Sequence, residues 1–157
     1  SASTDAGTHW EGKILDAIGV KKRDRQIRKK RLCLRVNLDG EDGKIREIKT
    51  HLDESFKVSK KYWMQAQVER YASKKDVEIV AYHLLPQDLR DYYSGVDLHR
   101  LSFHDVEYNK AWIDEEYLPR LKVVARCIKH RRWPNESEIE RFVLRTRRKA
   151  DRNFDPA

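Results

Sequence analysis

Apolar positions along the chain fall into two periods, and each period predicts its own elements. Trp10, Ile14, Leu15 and Ile18 recur at helical spacing and Gly19 closes the run, so a first helix is predicted over 10–18. Residues 1–9 carry no such pattern and read as a flexible N-terminal segment. From Leu32 the period becomes two. Leu32, Leu34, Val36 and Leu38 alternate with Cys33, Arg35, Asn37 and Asp39, as in a half-buried strand. Gly40-Glu41-Asp42-Gly43 is a turn signal, and residues 44–50 read as the returning strand of a hairpin. Residues 58–72 predict a helix, 77–85 an inner strand stopped by Pro86, and 98–106 a second alternating strand. A long helix is predicted from Trp112 to about Arg132, with Pro119 either kinking it or marking its true first turn. A break at 133–137 precedes a last basic helix over 137–149. The order helix, hairpin, helix, strand, strand, helix, helix predicts one α/β domain, a small mixed central sheet flanked by helices.

Composition changes this picture mainly by exclusion. A chain of 157 residues holds one core. Its 39% hydrophobic and 10% aromatic content excludes wholesale disorder. No window approaches the roughly 20 apolar residues of a membrane span, and no export leader is evident. The expectation is a cytoplasmic protein in a reducing compartment, with no membrane partner. Two cysteines are too few for a disulfide framework, a zinc ribbon or a four-cysteine iron–sulfur cluster. Cys33 and Cys127 read as small core hydrophobes.

Charge adds a partner. The balance of 34 Lys and Arg against 26 Asp and Glu leaves a net charge of +8. Lys21, Lys22, Arg23, Arg25, Arg28, Lys29, Lys30, Arg31 and Arg35 crowd one stretch, opposed only by Asp24. A second run holds Arg120, Lys122, Arg126, Lys129, Arg131 and Arg132, and a third spans Arg141 to Arg152. One such run is an ordinary solvated face; three in one small domain point to nucleic acid. Residues Lys21 to Lys30 are the expected phosphate contacts.

Candidate chemistry sits on the hairpin. Glu47 and Lys49, two apart on a strand, share a face about 7 Å apart, and Asp39 ends the partner strand. Two carboxylates converging with a lysine suit metal-assisted phosphodiester cleavage, because hard Mg²⁺ or Mn²⁺ takes oxygen ligands. An acid-x-Lys triplet in so charged a chain is weak alone, and a solvated hairpin is the simpler reading of it. The helix that follows carries Gln67-Val68-Glu69-Arg70-Tyr71, with Gln67 and Tyr71 on one face at i, i+4. The turn acids Glu41 and Asp42 read as solvent-facing.

On these residues the chain resembles the PD-(D/E)XK nuclease superfamily, in the branch of RecB-type domains and the lambda-exonuclease or YqaJ-like phage nucleases. That branch ends one strand in Asp, places Glu-x-Lys or Asp-x-Lys on the next, and follows with a Gln-x-x-x-Tyr helix. The matching residues are Asp39, Glu47, Lys49, Gln67 and Tyr71. The branch's further acid on the preceding helix falls to Glu11 by position. Leu38 stands where a Pro often precedes the Asp.

The resemblance spans about 10–134, the expected nuclease domain, and leaves 135–157 as a basic C-terminal helix and tail. It implies a restriction-endonuclease-like core and a Mg²⁺- or Mn²⁺-dependent deoxyribonuclease, exonuclease-like, in recombination, repair or phage replication. It further implies ligation by Asp39, Glu47 and the Ile48 carbonyl, action of Lys49 on the attacking water, and bracing by Gln67 and Tyr71. Two rival readings are a structure-selective or restriction-like endonuclease of the same superfamily, and a non-catalytic basic nucleic-acid-binding accessory protein. DNA is the implied partner; a second copy of the chain and a recombination or replication protein stay open.

Overall fold

The computed structural model describes residues 1–140. Its elements are α1 (Ala2–Ala17), β1 (Lys22–Lys29), β2 (Leu34–Glu41), β3 (Ile45–His51), α2 (Lys60–Ser73), β4 (Val77–His83) and β5 (Leu101–Val106). A helical segment follows: α3 (Lys110–Trp112), a π-helical turn (Ile113–Tyr117) and α4 (Leu118–Lys129). The five strands form one mixed sheet in the order β1-β2-β3-β4-β5. Only β3 and β4 pair in parallel, with α2 as their crossover; the other pairs are antiparallel.

Alternation along the inner strands sends successive residues to opposite layers. Ile48, Val80 and Tyr82 pack against Ala6, Trp10, Ile14 and Leu15 of α1. Ile45 and Val77 pack against Ala66 and Ala72 of α2. Ile79 meets Trp63 of α2 together with Trp112 and Ile113. The sheet is therefore sandwiched, α1 on one side and α2 with the 110–118 segment on the other. Ser59 caps α2 by accepting from the Tyr62 N–H at 3.1 Å, and Lys74 at φ 61° ends it. Among the described residues, no helix is long and apolar enough to cross a membrane.

Several elements depart from the sequence expectation. The first helix begins at Ala2, and Ala6 is fully buried, so residues 2–9 are ordered helix. Their small and polar residues hide a stripe in which Ala6, Trp10 and Ile14 stand four apart. The basic stretch forms β1, an edge strand paired with β2 from Lys22↔Glu41 to Lys29↔Leu34. Its period was hidden because Arg and Lys stems supply three of the four inward positions, Ile27 the other. The expected hairpin pairs over only two residues, Gly40↔Arg46 and Glu41↔Ile45, after which β2 follows β1 and leaves β3. At Pro119 the helix stays continuous, and the π-helical turn just before it absorbs the missing N–H. Cys127 is buried as expected, whereas Cys33 is exposed at a left-handed helix cap. Residues 136–140 are helical. The rest of the helix expected over 137–149 and the third basic run lie outside the described residues.

Gly40 sits where β2 and β3 separate. A Cβ there would stand 2.8 Å from both Leu15 Cδ2 and Val20 Cγ1, so only glycine lets the end of α1 close onto the strand.

Candidate active site

The separation of β2 from β3 leaves backbone groups without ladder partners, and a side chain fills the place. Asp39 Oδ2 accepts from the Ile48 N–H at 2.9 Å. The bond holds the Asp39 carboxylate against β3 between Glu47 and Lys49. Ile48 itself turns its side chain into the α1 core. On the other side Glu11, from α1, comes within hydrogen-bonding reach of the Asp39 carboxyl. Burial first, then the Asp39 charge, lift the Glu11 carboxyl to about 7.

On the α2 side Gln65 clasps the Glu-x-Lys pair. Its Nε2 donates to Glu47 Oε1 at 2.9 Å, and its Oε1 accepts from Lys49 Nζ at 2.9 Å. Lysine can only donate, so the amide must turn its oxygen to Lys49 and its nitrogen to Glu47. Lys49 Nζ also lies 3.4 Å from Glu47 Oε1 and 4.5 Å from the centre of the Tyr62 ring.

One helical turn beyond Gln65 stands Glu69, 1% exposed, beside Glu47 at 5%. Among the described residues, Glu47 Oε2 and both Glu69 carboxylate oxygens meet no donor in good hydrogen-bond geometry. Burial, then the Glu69 and Asp39 charges, push the Glu47 carboxyl far above the usual range. Burial and Asp39 also raise Glu69, to about 7, partly offset by hydrogen bonding with Glu47 and Gln65 and by the Lys49 charge. Four carboxyls (Glu11, Asp39, Glu47 and Glu69) thus share one lysine. Such a cluster is tolerable only with shared protons or with a cation. All its unmet acceptors are carboxylate oxygens, which suits hard divalent ions. Among the described residues, no three His, Cys, Asp or Glu side chains are already spaced around a single ion.

The structure brings Asp39 beside Glu47, Lys49 and Glu11. Gln67 and Tyr71 are not among them. Gln67 is buried on the opposite face of α2, where its Nε2 donates to Glu107 O at 2.9 Å and its Oε1 accepts from the Asn109 N–H at 2.7 Å. It pins the chain entering α3. Tyr71 packs in the cluster of Trp63, Trp112 and Ile113, near Tyr117. The correction has a plain cause. The α2 face toward β3 runs through Tyr62, Gln65 and Glu69 at steps of three and four, and 67 and 71 fall about 200° away from Gln65 and Glu69 respectively. The signal that locates it is the core stripe: Ala66 and Ala72 face Ile45, and Gln65 and Glu69 flank that stripe.

The basic segment is partly structural. Arg23 holds the Val20 carbonyl and the Asp16 carboxylate, tying β1 to the end of α1. Arg25 and Lys75 both donate to buried Glu41, at 2.7 and 2.9 Å, and Lys22 lies 3.6 Å from it. Burial opposes its charge, yet these bonds hold the Glu41 carboxyl down to about 2. Glu41 is therefore buried, contrary to its solvent-facing expectation. Lys21, Arg28, Lys29 and Lys30 carry no ion pair to an acid among the described residues. At the far end of β1 the first two basic runs meet, because Lys129 Nζ donates to the Arg31 carbonyl at 2.8 Å. Lys29, Lys30 and Arg31 thereby join Arg126 and Lys129 of α4 on one surface.

No protein-family model matches the chain, and searches of characterised proteins and of solved structures find no match either.

Proposed function

We propose that this chain is a divalent-cation-dependent deoxyribonuclease on a restriction-endonuclease-like core, as its resemblance to the PD-(D/E)XK superfamily implies. One observation carries the reading: β2 leaves β3 just where Asp39 bonds the Ile48 N–H, so that Asp39, Glu47 and Lys49 share one point with Glu11. A solvated hairpin would have left these groups apart and in water. The unmet oxygens of Glu47 fit a cation, which Asp39, Glu47 and the Ile48 carbonyl would hold. When bound, Mg²⁺ or Mn²⁺ supplies Lewis-acid polarisation of the phosphoryl oxygen and a more acidic water.

The chain's own residues do the rest. Gln65 and Tyr62 fix the Lys49 ammonium, which orients the attacking water and neutralises charge developing on the phosphate. Glu11, raised to about 7 beside Asp39, can give or take a proton there near neutral pH. The joined basic surface begins about 17 Å along β2 from Asp39, counting from Leu34, and would take the phosphates of the DNA beyond the cut.

The test is cleavage of labelled linear and closed circular DNA with Mg²⁺ or with chelator, by the wild type and by Glu47→Gln. Release from ends alone means an exonuclease, and cut circles mean an endonuclease. The Glu47→Gln variant should bind DNA while cleavage falls by orders of magnitude. Binding without metal-dependent cleavage by the wild type would overturn the reading and leave an accessory protein.

A further inference from the structure

We infer that Glu69, which lies outside the resemblance's motif, is itself a cation ligand, so that the Glu47–Glu69 pair forms a divalent-ion position bridging β3 and α2. The inference rests on the nuclease reading and extends its site onto the helix. Three observations carry it. Glu69 is 1% exposed, and a carboxylate that deep ordinarily has a cation or several donors. Among the described residues no cation pairs with it and neither oxygen meets a donor in good hydrogen-bond geometry, the Gln65 amide and the Glu47 carboxyl being the polar groups beside it. The neighbouring Glu47 is oriented so that Oε1 takes the Gln65 amide and the second oxygen is left over, also without a donor. The unpaired oxygens are thus confined to the side where the two carboxyls meet.

The surroundings make this a built arrangement. Three other buried acids are closed by cations: Glu41 by Arg25 and Lys75, Glu78 by Lys44 and Arg46, and Asp88 by Arg100. Glu69 has no such closure. Arg70, its neighbour in sequence, turns away to Asp76 and to the Tyr108 ring. The nearest cation, Lys49, is already held by Gln65 and Glu47 Oε1. Two carboxylates from separate elements, with the remaining positions filled by water or phosphate oxygen, are the usual protein share of a Mg²⁺ site. The same ion would tie α2 to β3 beside Lys49, coupling cation loading to the placement of that lysine.

The experiment is Mn²⁺ titration of the full chain by calorimetry at neutral pH, for wild type, Glu69→Gln and Glu47→Gln, with DNA cleavage run in parallel. Glu69→Gln keeps the shape and should weaken Mn²⁺ by about tenfold or more, since even an outer partner of a metal ligand costs ~10–100-fold. Unchanged Mn²⁺ affinity in Glu69→Gln would overturn the inference, meaning that the pair holds only a shared proton. If the wild type binds Mn²⁺ through Glu69 yet leaves DNA intact, the inference stands and the nuclease reading falls. If the wild type cleaves DNA and Glu69→Gln binds Mn²⁺ normally, the reverse holds. Anomalous scattering from a Mn²⁺-soaked wild-type crystal decides the matter without any variant. An ion at Glu69 supports the inference, and an ion bound only at Asp39 and Glu47 overturns it.

Discussion

Replacing Glu69 by Gln should stabilise the metal-free protein, and only above a certain pH. A free glutamate loses its proton near 4.5, whereas in the folded chain Glu69 keeps it to about 7. Between those values the unfolded chain has released a proton that the folded chain retains. The contribution of Glu69 therefore falls as pH rises through that window and levels off above it, while Glu47, raised further, holds its proton to higher pH. A rise of this size corresponds to roughly 3 kcal/mol at about 1.4 kcal/mol per pH unit. The amide has no such charge to bury, and its N–H can donate to Glu47 Oε2, which now lacks a donor. The expected gain is about 2–3 kcal/mol at pH 8 and close to nothing at pH 4. At roughly 2–4 °C per kcal/mol for a chain of this size, Tm should rise by about 5–10 °C at pH 8. Circular-dichroism melts in chelator at both pH values measure it. A variant less stable than wild type at pH 8, or equally shifted at both, would refute the account of this buried pair.

The remaining predictions concern the clasp, the close approach at Gly40 and the basic surface. Gln65→Leu should lower the cleavage rate by ~10²-fold with the fold intact, because it frees Lys49 and Glu47 together. Gln67→Ala should leave the rate alone and cost roughly 1–3 kcal/mol in a urea melt, since it strands Glu107 O and the Asn109 N–H. Gly40→Ala should cost about 1–3 kcal/mol by driving a methyl into Leu15 and Val20, and a melt showing no loss would mean that α1 yields freely there. Neutralising Lys29, Lys30, Arg126 and Lys129 together should flatten the salt dependence of DNA binding by about 0.7–0.9 log unit for each phosphate no longer neutralised. An unchanged slope would remove that surface from the interface.

Features that depend on near neighbours in the chain are legible before it folds. Period two marked β2, the turn signal marked β3, the apolar run marked β4, and the Glu47-x-Lys49 spacing put both groups on one face, because strand geometry is local. The core stripe of α1 was legible at Trp10 and Ile14, where large side chains mark it, and invisible at Ala6, where a small one does the same work. The tertiary structure decided which strand β2 pairs with. That choice made the basic stretch an edge strand and opened the gap that Asp39 fills. It also set the rotation of α2. Helical geometry alone separates the face of Gln65 and Glu69 from that of Gln67 and Tyr71, but which face looks at β3 follows from packing Ala66 and Trp63 against the sheet. Burial is likewise a property of the assembled layers. Glu69 is one of many charged residues in the sequence, and only between α2 and β3 does it become a buried carboxylate beside Glu47.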